Sequence, residues 1–263
     1  MNKQKKLMLL SLVWLVLGLL LLFGAVLSHF WSENSREAEI PEEIIPLVFE
    51  EYNNPQTITE LSLAVISTRL DAKVEWAEGV FFFYHRINDQ DSTYAGFEAN
   101  DGALYHLGEV GMYLPFDHPS FDFSAMTKIV ELTPFGYVLK VEAPMGANYL
   151  LTNYYMIVDG KPEPLLQVDG GAMELDVTGN GHPEIITQIG TMPMLYIYHV
   201  IDHQFSQADV TRLLSASTTY LVEPETRVIE AGNWDREEQR MSSVRKLYQI
   251  KGMELHLVKV IEE

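Results

Sequence analysis

Cysteine is absent from all 263 residues, which excludes disulfides, thiolate metal ligands and a cysteine nucleophile. Basic residues are scarce: 18 Lys and Arg stand against 37 Asp and Glu, a formal net charge of −19. A phosphate-binding surface needs lysine and arginine, so no nucleic-acid partner is expected. After the first 55 residues there is no Gly/Ser linker, no heptad run and no clean internal repeat. The short signatures of common catalysts are missing as well: no G-x-S-x-G, H-E-x-x-H, P-loop or G-x-G-x-x-G. Catalytic groups can lie far apart in sequence, so this weakens the case for an enzyme without closing it. The remaining composition, 47% hydrophobic and 21% charged, is that of a globular chain and too apolar for global disorder.

The one long apolar run is Leu7 to Leu27, LMLLSLVWLVLGLLLLFGAVL, 21 residues without a charge. A bilayer core takes about 20 apolar residues in a helix. Lys3, Lys5 and Lys6 precede it and Trp31 follows, so the run reads as a single-pass anchor with its N-terminus in the cytoplasm. A cleaved signal peptide is the competing reading, but its apolar region is usually about 7–15 residues. Residues 1–31 are therefore expected to be a cytoplasmic stub and transmembrane helix. Residues 32–55 carry seven glutamates against Arg36, with Pro41 and Pro46, and read as an acidic spacer. Residues 56–263 are expected to form the extracellular domain. A sensor role would need a second protein, because about six cytoplasmic residues are too few for an output domain.

Beyond Glu60 the chain becomes a series of short β-like runs punctuated by Gly, Asn and Asp. Gly79 to Ile87 is aromatic and strand-like, and Phe81 to Tyr84 read as buried on both faces. Asn100-Asp101-Gly102, Asp159-Gly160 and Lys251-Gly252 mark hairpin turns between such runs. About a dozen strands at close spacing predict an all-β, antiparallel, propeller-like or sandwich ectodomain. Thr57 to Glu60 could open a helix over Leu61 to Leu70 or precede a strand there.

The stretch with chemistry is Leu175 to Ile186, LDVTGNGHPEII. Oxygen-bearing side chains fall at Asp176, Thr178, Asn180 and Glu184, at positions 1, 3, 5 and 9, and the His182 carbonyl could join them at position 7. Gly179 and Gly181 permit the tight backbone path. Hard cations such as calcium take six to eight oxygens in loops of this kind. Position 12 is Thr187, not the bidentate glutamate of an EF-hand. The loop resembles the FG-GAP and VCBS repeat families, whose signature is D-x-[DN]-x-[DN]-G-x-x-[DE] between two strands. Asp176, Asn180, Gly181 and Glu184 match, over about forty residues from Leu165 to Phe205. The resemblance implies a structural calcium in a hairpin loop of a propeller-like blade. It is similar to what is found in single-pass surface proteins of Gram-positive bacteria. With only two full charges the site would be weak, with a dissociation constant on the order of 10⁻⁴–10⁻³ M. The alternative is a metal-free Asx turn held by side-chain bonds to its own backbone.

Other candidates are weaker. His199 and His203 are four apart with Asp202 between them, and on a helix they could share a transition metal; here they read as a strand and its turn, which weakens that case. Asn88, Asp89 and Asp91 read as a plain hairpin connection. Tyr149, Tyr154, Tyr155, Tyr196 and Tyr198 could line a binding face, although β propensity explains them equally well. Trp234 falls in an apparent charged loop that could meet a partner. The favoured function is a membrane-anchored binding domain for a protein or cell-wall partner. The alternative is a cell-surface hydrolase of wall polymer or peptide, for which Asp117, Asp122 and Glu131 are the acidic candidates, with His118 in the same Pro- and Phe-rich loop.

Overall fold

Four consecutive antiparallel meanders account for most of the computed structural model, which describes residues 42–262 other than 114, 119–121, 123–125, 147–148, 190–192 and 236–239. Three short strands come first: β1 (Ile44–Pro46), β2 (Glu50–Glu51) and β3 (Thr59–Glu60). Sheet I then contains β4 (Ile66–Trp76), β5 (Gly79–Arg86), β6 (Asp89–Ala99) and β7 (Leu104–Met112). Sheet II contains β8 (Thr127–Leu132), β9 (Gly136–Gly146), β10 (Tyr149–Val158) and β11 (Lys161–Asp169). Sheet III contains β12 (Gly171–Leu175), β13 (Glu184–Ile189), β14 (Met194–Ile201) and β15 (Gln204–Asp209). Sheet IV contains β16 (Thr218–Glu223), β17 (Val228–Asp235), β18 (Arg240–Lys251) and β19 (Glu254–Glu262). In every sheet each strand pairs with the next in the chain. A one-turn helix, Val210–Leu213, links III to IV and is capped by Asp209, whose side chain accepts from Arg212 N–H.

The sheets pack face to face in chain order through three apolar layers. Phe81, Phe83, Phe97, Leu139 and Tyr155 fill the layer between I and II. Val138, Tyr154, Ile185 and Tyr198 fill that between II and III. Ile186, Ile197, Ile229, Tyr248 and Leu255 fill that between III and IV. Successive strand residues point to opposite faces. Neighbours such as Val138 and Leu139, Tyr154 and Tyr155, or Ile185 and Ile186 are therefore each buried, in different layers. Each such side chain contributes roughly 1.5–3 kcal/mol when fully buried. Among the described residues no core cluster joins I to IV, so the sheets form a row and not a closed ring. The free face of sheet I is covered locally: Phe82, Tyr84 and Tyr94 pack with Leu61 and Ile66. The Arg69 guanidinium lies 4.0 Å from the Phe82 ring centre and that of Arg86 4.2 Å from Tyr94.

The segment before sheet I is a strap that runs back across the row. β1 pairs with β19 of sheet IV, β2 with β15 of sheet III, and β3 with β7 of sheet I. At sheet II it makes side-chain contacts instead. Tyr52 Oη donates to Gln167 O at 2.5 Å, and Gln56 Nε2 donates to Asn153 Oδ1 at 2.6 Å. The missing pairing has a local cause: the free edge strand β11 carries Pro162 and Pro164, which lack the N–H a fifth strand would need. Near its start the strap is pinned by Glu43, whose carboxylate accepts from Lys246 Nζ and Tyr248 Oη, both at 2.7 Å.

The all-β, antiparallel expectation is met, with corrections. The described part of the acidic stretch expected as a spacer, from Glu42, belongs to the folded domain. Residues 1–41, including the expected anchor, lie outside the described residues. No helix of the described residues is long and apolar enough to cross a membrane. The helix-or-strand alternative over Leu61 to Leu70 resolves into a 3₁₀ turn, Leu63–Val65, capped by Ser62, followed by β4. Phe81 to Tyr84 are 0–2% exposed, buried on both faces as expected. Tyr154, Tyr155 and Tyr198 do not line a binding face: they sit in the layers between sheets. Trp234 is on β17 and not in a loop.

Candidate functional site

The loop between β12 and β13, residues 176–183, closes on itself through its own polar groups. Asp176 Oδ1 accepts from the N–H groups of Gly179 (2.7 Å) and Asn180 (3.0 Å), and Oδ2 accepts from Gly181 N–H (3.1 Å). Asn180 Oδ1 accepts from His182 N–H at 2.7 Å. These are Asx-type turns, in which a short carboxylate or amide substitutes for a backbone partner. Gly179 has φ +75° and faces a neighbour: a Cβ built there would stand 3.0 Å from Nη1 of Arg227, on the β16–β17 turn of sheet IV. Val177 anchors the loop in the layer between III and IV, with 0% exposure.

Glu184, the first residue of β13, is 1% exposed and takes five donors. Its Oε2 accepts from the N–H groups of Val177 (2.9 Å) and Thr178 (3.2 Å). Its Oε1 accepts from Thr178 Oγ1 (2.7 Å), Asn180 Nδ2 (3.3 Å) and His199 Nδ1 (3.1 Å). A buried carboxylate is tolerated only when its lone pairs are satisfied, and here they are.

Of the five residues expected to hold calcium, Thr178, Asn180 and Glu184 meet at one carboxylate. Asp176 turns to the amides of 179–181, and His182 enters through its N–H. Two carboxylates, a hydroxyl and an amide are oxygen donors of the type hard cations take. As placed, the hydroxyl and the amide NH₂ donate to Glu184. A cation there would replace those two bonds and require the Asn180 amide to turn its oxygen inward. The chemistry of the set fits such an ion; the hydrogen bonding closes the loop without one.

Beside the loop lies a cleft of about 290 Å³ lined by Pro134, Asn180, His182, His199, Asp202 and His203. Three of the chain's eight histidines face it, from the loop, from β14 and from the β14–β15 turn. His199 is fixed by its bond to Glu184. A carboxylate accepts, so Nδ1 carries the proton and Nε2 is left as the basic nitrogen. Asp202 (φ +50°) and His203 (φ +65°) are both left-handed, the pattern of a type I′ turn that Asn-Gly would make with less strain. A second cleft of about 340 Å³ lies between the strap at Tyr52 and Phe135, Met156 and Phe205. No protein family, curated protein or solved structure matches this chain.

The remaining candidates separate. Glu131 is exposed on β8, and neither it nor Asp117 or Asp122 lines the clefts described here. His118 N–H donates to Pro115 O, within a local turn. Asp89 Oδ1 accepts from Asp91 N–H at 2.9 Å at the start of β6, and Tyr94 Oη donates to Oδ2. That hydroxyl holds the Asp89 carboxyl below the usual range. Sequence reasoning missed Arg227 over Gly179, and the clustering of His182 with His199 and His203. Both depend on contacts between sheets or turns that spacing along the chain does not encode.

Proposed function

We propose that this chain is an exported binding domain held at the cell membrane by its first 31 residues, with the sheets outside the cell. The helix over 7–27, the propeller-like character of the row and a weak structural calcium in the Asp176–Glu184 loop belong to the same reading, and the resemblance of that loop to FG-GAP and VCBS repeats supports it. The observation that carries the binding role is the surface. Clefts of about 230–340 Å³ on the row of sheets lie at or below the low end of small-molecule pockets, roughly 300–1,000 Å³. They suit contact with an extended protein or wall polymer more than enclosure of a substrate. Calcium would brace the loop by taking oxygens of Asp176, Thr178, Asn180 and Glu184, adding roughly 1 kcal/mol at millimolar concentration.

Two measurements test this. External protease added to intact cells should remove everything beyond the anchor; a protected C-terminal domain overturns the topology. Calorimetry of the detergent-solubilised chain should show a higher melting temperature with millimolar calcium, lost in Asp176→Ala. An unchanged wild-type melting temperature removes the calcium.

A further inference from the structure

We propose that the cleft beside the loop is a binding site for a borderline divalent transition ion of the zinc class, held by the imidazoles of His199, His203 and His182. Imidazole is a favoured donor for such ions, which calcium-type oxygen loops do not select. The central observation is the pair at its base. Metal-binding histidines nearly always give their second ring N–H to a carboxylate or carbonyl, which fixes the tautomer and raises the basicity of the other nitrogen. His199 does this at 3.1 Å to Glu184, and that carboxylate is 1% exposed and immobilised by four further donors.

The second observation is convergence. His199 comes from β14, His203 from the strained turn that follows it, and His182 from the neighbouring loop, yet all three line one cleft of about 290 Å³. Asp202 lines it too and offers a fourth donor. Among the described residues no three His, Asp or Glu side chains stand close enough to share an ion as placed. His199 is fixed, whereas His182 and His203 are exposed on turns. Side-chain rotation at these two exposed positions, a fast motion in itself, is what closure on an ion requires. The site is distinct from the proposed calcium loop: it uses nitrogen donors, and Glu184 acts here only through His199.

The test is cobalt titration of the untagged, detergent-solubilised full chain, followed by visible absorption and by zinc competition. The expected result is one equivalent of cobalt with the intense bands of a four-coordinate nitrogen-containing site, displaced stoichiometrically by zinc, whereas millimolar calcium weakens the binding without taking cobalt's place. His203→Ala and His182→Ala, both at exposed positions, and His199→Ala should each weaken binding by about tenfold or more. Circular dichroism checks that each variant is folded. Asp176→Ala should leave cobalt binding intact, which separates failure of this site from failure of the calcium loop. Absence of a stoichiometric cobalt spectrum overturns the proposal, and so does binding that survives unchanged in the folded His182→Ala, His203→Ala double variant.

Discussion

Replacing Glu184 by glutamine tests whether one buried carboxylate knits the loop. An amide keeps a single acceptor oxygen. Its best placement points that oxygen at Val177 N–H and Thr178 N–H, which have no other way to turn. The new NH₂ then faces Thr178 Oγ1, Asn180 Nδ2 and His199 Nδ1. Thr178 and His199 can adapt, by hydroxyl rotation and change of tautomer; Asn180 loses its bond, because flipping its amide would turn NH₂ toward His182 N–H. Charge assistance is lost as well. Hydrogen bonds to charged groups contribute about 1.5–3 kcal/mol net and neutral ones about 0.5–1.5. Because the five bonds share one carboxylate, their losses do not add, and a net cost of about 2–3 kcal/mol follows. Glu184→Leu leaves two buried backbone donors without any acceptor and should cost more, about 3–6 kcal/mol.

For a domain of this size each kcal/mol moves the melting temperature by about 2–4 °C. Glu184→Gln should therefore melt about 4–12 °C below wild type in chelator, and Glu184→Leu lower still. Thermal unfolding followed by circular dichroism is sufficient. A Glu184→Gln variant that melts within about 1 °C of wild type would refute the reasoning, because the carboxylate would then not be what organises residues 176–184.

Other perturbations have equally definite outcomes. Gly179→Ala should cost about 1–3 kcal/mol in chemical denaturation, from its φ of +75° and a Cβ 3.0 Å from Arg227 Nη1; an Arg227→Ala background should recover the clash but not the backbone strain. His106 is held neutral between Tyr84 Oη (2.6 Å) and Arg86 Nη2 (3.1 Å), and burial, aided by the Arg86 charge, pushes its pKa down to about 4. The unfolded chain then binds more protons between about pH 6.5 and 4, so stability is full above that window and falls as the pH drops through it, by about 1–2 kcal/mol after allowing for partial exposure; His106→Gln should flatten this part of the profile. Lys140 is 7% exposed between sheets II and III, donating to Ala172 O and pairing with Glu174 at 3.1 Å, so Lys140→Met should cost about 2–4 kcal/mol by removing the cation from Glu174, which keeps only the Tyr154 hydroxyl, and Glu174→Gln less. Glu43→Ala should speed amide exchange in β1 more than in β18, because it unpins the strap while β18 stays paired on both sides.

Much of the fold is legible where local chemistry decides it. Asp159-Gly160 joins β10 to β11 with both residues left-handed, as that dipeptide predicts. The β13 and β14 boundaries, Glu184–Ile189 and Met194–Ile201, follow from their apolar runs. The fourfold repetition is not legible, and the reason lies in packing. Sheets II and III are buried on both faces while I and IV end the row, so one meander is written in different hydrophobic patterns. The strap was hidden too: its glutamates at 50 and 51 sit exposed on a two-residue edge strand, where charge is compatible with pairing. At the candidate site, Asp176, Thr178, Asn180 and Glu184 could be picked out by spacing. Their use as acceptors for the loop's own N–H groups and for His199 could not, because the fifth donor comes from a strand fifteen residues away.

Glu184 Oε1 is the atom where the two proposed ion sites meet, and this makes them testable against each other. It accepts from Thr178 and Asn180 on the loop side and from His199 on the cleft side. A calcium ion drawing that oxygen into the loop weakens its hold on His199 and lowers the basicity of Nε2. A transition ion on Nε2 strengthens the demand of the Nδ1 proton for the same oxygen. The two ions should therefore oppose each other, and coupling between binding equilibria is reciprocal. If saturating calcium weakens cobalt affinity by some factor, saturating cobalt must weaken calcium affinity by that same factor, and Asp176→Ala should abolish the effect of calcium on cobalt. A transmitted carboxylate–histidine effect of about tenfold is expected. Calcium and cobalt affinities that are both measurable and mutually independent would show that Glu184 serves only one of them.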